Sequence, residues 1–391
     1  MFLSQIERSN PNLIKTAVEF HQAGKIPPSC FMIDLDTVAE NTRTVAQAAQ
    51  ENGISLYFIT KQVGFNPVFA RTVCENGIEK TVAVDWNEAL TMLQNNISLG
   101  HVGHLVQIPQ KYLSQILSAA PEVITVFSVE NAQRVSSAAR EQGLQINVLV
   151  KIVDHDSFIY SGQEGGILFE DLEKSLDLIN ALPNIKVAGI TSFPCTLFDP
   201  EQKEFIPTHN LKTLQKAAVI LEKKYGGEHL QVNAPGNSCS NVFPLLSRFG
   251  ATHAEPGNAL TGTTPLHAIS KQPELPALIH VSEISHHFES TDYCYGGGLY
   301  RRSSVTRAIV GNDPSHMREA KVITPQKTSI DYYVGLKPKD KKEFRTGDTV
   351  LWSSRAQIFV TRSSVAVVQG IRTNTPTLVG IYDPFGRSLN S

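Results

Sequence analysis

The sequence predicts an α/β plus all-β chain: a (β/α)8 TIM-type barrel followed by a C-terminal β-domain. Three observations carry this expectation. Eight short apolar segments alternate with helical stretches over roughly 220 residues, the span such a barrel needs. No GxGxxG follows the first barrel segment, which disfavours an open doubly wound sheet. Near residue 270 the alternation stops, and after Pro273 and Pro276 strand-like segments follow one another without long helices.

The elements follow in order. Residues 1–30 read as a helical lead-in, with Asn10 placed to cap a helix, Pro11 in its first turn and Gly24 at its end. Pro27-Pro28 break the chain, and FMIDL (31–35) reads as a strand expected to join the β-domain. The barrel is assigned to 31–270 with strands LYFIT (56–60), TVAV (81–84), HVGHLV (101–106), VITVF (123–127), INVLVKIV (146–153), VAGIT (187–191), LQVN (230–233) and THAEP (252–256). Helices are expected at 66–76, 86–94, 129–142, 171–181 and 209–224. The β-domain, 271–391, holds ALIHVSEISHHF, GLYRRSSVTRAIV, EAKVIT, SIDYYV, DTVLWSS, SVAVVQG and TLVGIY.

Composition narrows the function classes. At 391 residues and 41% hydrophobic the chain can bury a large core in more than one domain. A net charge of −2, with no basic run, gives no bulk attraction to nucleic acid or anionic membrane. Five widely spaced cysteines without a CxxC argue against a disulfide framework or structural zinc. No run approaches the ~18 apolar residues of a membrane span. Glu7 and Arg8 stand where a signal peptide needs an apolar stretch, so a cytoplasmic protein is expected.

Active residues of a TIM barrel sit at the C-terminal ends of its strands. The first barrel strand ends in Thr60-Lys61-Gln62. A lysine there can condense with an aldehyde cofactor if burial depresses its pKa; taken alone, Lys61 reads better as a solvated surface lysine.

Its context is more specific. IDLDTVAEN (33–41), then YFITK (57–61), then VAVDWNEAL (82–90) resembles the opening of the alanine racemase N-terminal domain family, and end to end the chain is similar to the YhfX family, a fold-type III branch. The resemblance implies pyridoxal 5′-phosphate (PLP) bound as a Schiff base on Lys61. NAPGNSCS (233–240) ends the seventh strand, where the family holds the cofactor phosphate, so Asn237 and Ser238 take that role. A hydroxyl and free N–H groups at a helix start favour a phosphate. Gly257 and Asn258 are expected to add backbone N–H groups. In EPGNALTG (255–262), Glu255 stands where alanine racemases carry an arginine facing the pyridine nitrogen, and resembles the related barrel decarboxylases. A carboxylate there favours a protonated ring and a strong electron sink.

DYCYGGGLY (292–300) resembles the segment that supplies a tyrosine from the neighbouring subunit, which implies Tyr295 as the second acid/base and a homodimer with shared sites. Cys294 beside it matches the decarboxylase acid. Ile330 and Asp331 take the places that help seat a substrate.

Other positions depart from the family. Lys151 is kept in the fifth strand, but the arginine that follows it in alanine racemases is missing; Tyr160 or Gln163 is expected to fill that space. Ser192 replaces a histidine that packs on the cofactor, and Phe65 a phosphate-binding tyrosine. His286-His287 and His316 lack the His-x-Asp or His-x-Cys pair of zinc-dependent relatives, so no catalytic metal is expected. Arg301, Arg302 and Arg355 are expected to face solvent rather than an acidic substrate. Three functions remain open: a PLP-dependent amino-acid racemase, a PLP-dependent decarboxylase, and a PLP-binding protein without turnover. None calls for a nucleic-acid or membrane partner.

Overall fold

The structure, a computed structural model, describes residues 2–226, 230–300, 302–326 and 328–389; Arg301 lies outside them. The chain divides into two compact units, Arg43–Thr60 with Val73–Gly257, and Met1–Thr42 with Lys61–Thr72 and Asn258–Ser391.

The first unit is a parallel barrel. Its strands run in the order Ser55–Leu56, His253–Ala254, Gln231–Asn233, Ile185–Thr191, Ile146–Val153, Val123–Val126, Leu99–Val102 and Thr81–Ala83. A parallel bridge from Phe58 to Thr81 joins the two ends of this order. Every expected strand is present, most of them shorter than the apolar run that announced it. The central strands are buried at nearly every position, which is why they read as continuous apolar runs rather than alternating ones. Val82, Val123 and Leu149 from three separate strands, and Tyr57 just past a fourth, meet in one apolar cluster. Only the inside of a closed sheet brings such positions together.

Local signals set the helices. Asp85 caps Trp86–Gln94 by accepting the Glu88 N–H at 2.8 Å, and Ser128 caps Val129–Glu141 by accepting that of Asn131 at 3.1 Å. Leu172–Asn180 and His209–Tyr225 lie close to their expected limits. Leu35–Glu51, Gln110–Ser118 and Phe243–Arg248 are further helices.

In the second unit, six antiparallel strands close on themselves: Leu278–Phe288, Thr291–Tyr295, Tyr333–Pro338, Arg318–Ile323, Arg307–Gly311 and Thr349–Trp352. Cys30–Asp34 pairs antiparallel with Leu278–Phe288 and parallel with Ser364–Gln369, and Thr377–Tyr382 follows at the edge. The barrel-plus-β-domain architecture is thus the one the sequence predicts. One core lies around Trp352, Leu336 and Phe344; another packs the lead-in against the sheet through Leu3, Ile6, Leu13, Met32 and Val281.

The lead-in corrects one expectation. It is two helices, Phe2–Ser9 and Pro11–Gln22, and Asn10 between them makes no side-chain cap. Its amide donates instead to Asp34 at 2.9 Å and to the Pro276 carbonyl at 3.0 Å, because these buried acceptors need a donor more than an accessible helix end does. Among the described residues no helix is long and apolar enough to cross a membrane.

Candidate active site

The eighth barrel strand ends at Ala254, and Glu255 follows with its carboxylate fully enclosed. Side chains from two other strand ends, Leu99–Val102 with the turn after it and Gln231–Asn233, address it. His101 Nδ1 lies 2.7 Å from Oε1, the Asn233 amide donates to the same oxygen at 2.7 Å, and His104 Nε2 stands 3.7 Å from Oε2. His101 Nε2 meets the Thr125 hydroxyl. Burial pushes the Glu255 carboxyl up, but the two imidazoles and the hydrogen bonds to His101 and Asn233 outweigh it and hold it at about 2. The group is an anion at neutral pH, and among the described residues its Oε2 accepts no hydrogen bond. A buried anionic oxygen in that state fits an incoming ring N–H.

The loop after the seventh strand suits a second part of the same ligand. Ser238 is buried, and its Oγ accepts the Glu255 N–H at 3.1 Å, which leaves its own proton to donate. Asn237 sits at φ +50°, with its side-chain amide donating to the Thr196 carbonyl at 3.0 Å. Among the described residues no acceptor pairs with the N–H groups of Gly236, Asn237 or Ser238. Free N–H groups with a hydroxyl form a phosphate cradle. Gly257 is buried next to this carboxylate in sequence. Asn258, in the other unit, uses its carbonyl to accept the Thr263 N–H at 2.9 Å.

Lys61 opens a short 3-10 turn, Lys61–Val63, and is half-buried. The residue before it is fixed in the barrel unit: Glu88 accepts both the Thr60 N–H at 2.9 Å and the Thr60 hydroxyl at 2.6 Å, and also the Val84 N–H at 2.8 Å. Burial raises the Glu88 carboxyl to about 7 against these hydrogen bonds.

Ser192 has no free hydroxyl to offer, since it donates to the Ile152 carbonyl at 2.8 Å. Tyr160 packs edge-on against Phe158 at 5.0 Å and lies 6.0 Å from Phe193, whose ring meets His104 at 5.4 Å. Phe65 is buried against Phe359 and Phe385.

In the β-domain unit, DYCY is a strand, Thr291–Tyr295, rather than part of the glycine-rich turn. Its alternation separates two candidates. Cys294 points into the apolar core beside Val334, and burial raises its thiol to about 12. Tyr295 points outward, 36% exposed, into a cleft of about 360 Å³ with Ser29, Tyr332, Tyr333 and Arg362. The Cys294 acid assignment is therefore corrected: a thiol sealed in a core reaches no substrate. Ile330 is 62% exposed. Asp331 anchors the loop beyond Tyr295 by accepting the N–H groups of Gly297 at 2.9 Å and Leu299 at 3.2 Å, and it pairs with Arg362. Gly296 is required in that loop, because a Cβ there would lie 1.9 Å from the Asp331 carbonyl. His287 pairs with Asp292, His316 with Asp313, and His286 stacks on Tyr293. Arg302 is exposed and Arg355 half-buried.

The sequence reading missed His101, His104 and Asn233. A signal existed: two histidines in the third strand, HVGHLV, interrupt an apolar run at the barrel's C-terminal side. With Glu255 they form a group whose ligand atoms all lie within 4.8 Å, a donor set of the kind that holds a cation. Here both ring nitrogens of His101 already have partners, which makes the arrangement a hydrogen-bonded support for the carboxylate.

A parallel barrel followed by an antiparallel β-barrel domain is the architecture of the fold-type III PLP family. The chain belongs to the alanine racemase N-terminal domain family, whose model matches residues 33–265, and a YhfX-like C-terminal domain model matches residues 279–378. It is 41% identical, over the whole of both chains, to the "Uncharacterized protein YhfX" of Escherichia coli (strain K12). Among solved structures it resembles D-threonine aldolase from Filomicrobium marinum (14% identity, 93% of this chain and 96% of that one, TM-score 0.64). It also resembles alanine racemase from Clostridium difficile 630 in complex with cycloserine (16% identity, 91% and 98%, TM-score 0.63). Members of the alanine racemase family bind PLP. At these identities the solved structures establish the fold, and they span different reactions.

Proposed function

We propose that the protein is a PLP-dependent amino-acid racemase. The Glu255 carboxylate, held anionic by two histidines and with no hydrogen bond to Oε2 among the described residues, supports the PLP part of this reading for either reaction; the observation that favours racemisation is Tyr295, turned outward and exposed while Cys294 is sealed in the core. Ser238 and the N–H groups of Gly236 and Asn237 suit the phosphate, with Gly257 and Asn258 adding to it. Lys61, the residue after the anchored Thr60, holds the cofactor aldehyde. When bound, PLP supplies a sink for the electron pair left at the α-carbon.

The chain's own groups then move the proton. The Lys61 amine serves one face of the α-carbon. The Tyr295 hydroxyl serves the opposite face, supplied across a two-fold homodimer, so that a proton leaves one face and another arrives on the other. Glu255 would hold the proton on the ring nitrogen of a bound cofactor. The decarboxylase alternative needed Cys294 as acid, and the burial of that thiol removes its support. The exposed aromatic surface around Tyr295 favours turnover over simple cofactor storage.

The test is reconstitution with PLP followed by an amino-acid screen in D2O. A visible absorption band in the wild type that is absent from Lys61→Ala, together with α-deuterium exchange and no CO2 release, is the expected result. CO2 release without racemisation, or an unchanged band in Lys61→Ala, overturns it.

A further inference from the structure

Leu149 belongs to the apolar cluster inside the parallel barrel. Lys151 lies two residues further along the same strand, Ile146–Val153, and therefore faces the same interior, near the strand's C-terminal end. The ladder agrees: Lys151 is in register with Thr191, and Thr191 with Asn233, whose side chain reaches Glu255. Residue 151 is only 2% exposed.

The Lys151 amine has partners, but none of opposite charge at contact distance. It donates to the Gln163 carbonyl at 3.2 Å and stands 4.2 Å from the centre of the Phe127 ring. Among the described residues no carboxylate forms an ion pair with it. Burial lowers the amine to about 8, with Glu164 opposing, so most of it is cationic at neutral pH. Glu164 acts on it only from beyond ion-pair distance, and a buried cation with no carboxylate in contact favours an incoming anion. The side chain of the same Gln163 has a buried Oε1 without a hydrogen-bond partner among the described residues. A flip of that amide presents an N–H2 donor in its place.

The covering segment is shaped to lie on this amine. Gly165 and Gly166 have φ of +134° and +139°. A Cβ at Gly165 would sit 2.8 Å from the Phe127 ring, and one at Gly166 would sit 3.1 Å from the Lys151 carbonyl. Only glycines let the chain fold down there.

We propose that Lys151, assisted by Gln163, is the anion-binding subsite of the barrel mouth and takes the carboxylate of the amino-acid substrate. This rests on the reading of that mouth as the substrate site, and it assigns a role that the missing arginine leaves vacant. The ammonium forms a charge-assisted hydrogen bond to one carboxylate oxygen and the Gln163 amide bonds the other.

Acetate is the probe, with acetamide as the uncharged control, and the thermal midpoint is read on protein both with and without PLP. Acetate should raise the midpoint of the wild type and of Lys151→Arg, while acetamide should not. The acetate affinity of Lys151→Met should fall at least about tenfold, and that of Gln163→Ala about threefold, the losses expected for a charged and a neutral contact. Gln163→Ala keeps the lysine and stays informative if the methionine variant does not fold. An unchanged acetate response in Lys151→Met, or none in the wild type, overturns the proposal. The cofactor band is a separate readout: its absence in the wild type, with the acetate response intact on cofactor-free protein, counts against the PLP reading alone.

Discussion

Cys294 and Tyr295 are consecutive residues of one strand, and the pleat sends the first into the apolar core and the second into an open cleft. That one-residue difference separates two chemistries which the sequence left side by side.

Tyr295→Phe should therefore keep the fold and the cofactor band but reduce racemisation by about 10²–10⁴-fold, the range for a lost general acid/base. Cys294→Ala should leave turnover within about twofold and lower stability by about 1 kcal/mol through a small core cavity. Steady-state rates and denaturant midpoints of the two variants measure this; a Cys294→Ala enzyme with wild-type stability and no activity contradicts the assignment.

Glu255 predicts an acid-side signature. Its native pKa, about 2, lies below the ordinary carboxyl value of 4.5. Between those values the unfolded chain binds the extra proton, so stability is complete above about pH 4.5 and is lost as pH falls toward 2. Replacing Glu255 with Gln should flatten that limb by up to about 1.4 kcal/mol per pH unit, one proton's worth. Urea unfolding from pH 2 to 6 reads the slope, and identical slopes would show that the carboxylate is not held in this way.

Asn10 predicts a stability effect far from the site. Asn10→Ala removes a donor from Asp34 and from the Pro276 carbonyl, which should cost about 1–3 kcal/mol. Burial already raises the Asp34 carboxyl. Asn10→Asp should be worse than Asn10→Ala at pH 7, since two buried acids then face each other, and the gap should narrow as pH falls and they protonate. Equal midpoints for the two variants at pH 7 contradict this.

Much of the fold was legible because its signals are local. A strand buried on both faces must be apolar along its length, and a helix must begin at a cap such as Asp85 or Ser128. Tyr295, Glu255 and the Asn237-Ser238 pair could be picked out because each sits in a short motif. The short strands fared less well: Ser55–Leu56 and His253–Ala254 are two residues each, and the pairing that makes them strands lies far away in sequence.

By itself, then, the sequence determined the alternation of strands and helices and the change to a β-domain, and it singled out candidate site segments, since these depend on neighbours a few residues apart. The tertiary structure alone decided that His101, 154 positions from Glu255, reaches its carboxylate, that Asn10 serves Asp34 instead of a helix end, and that Lys151 is a buried amine with no carboxylate in contact among the described residues. Such outcomes depend on which side chains a closing sheet brings face to face, and a linear pattern of hydrophobicity does not encode that.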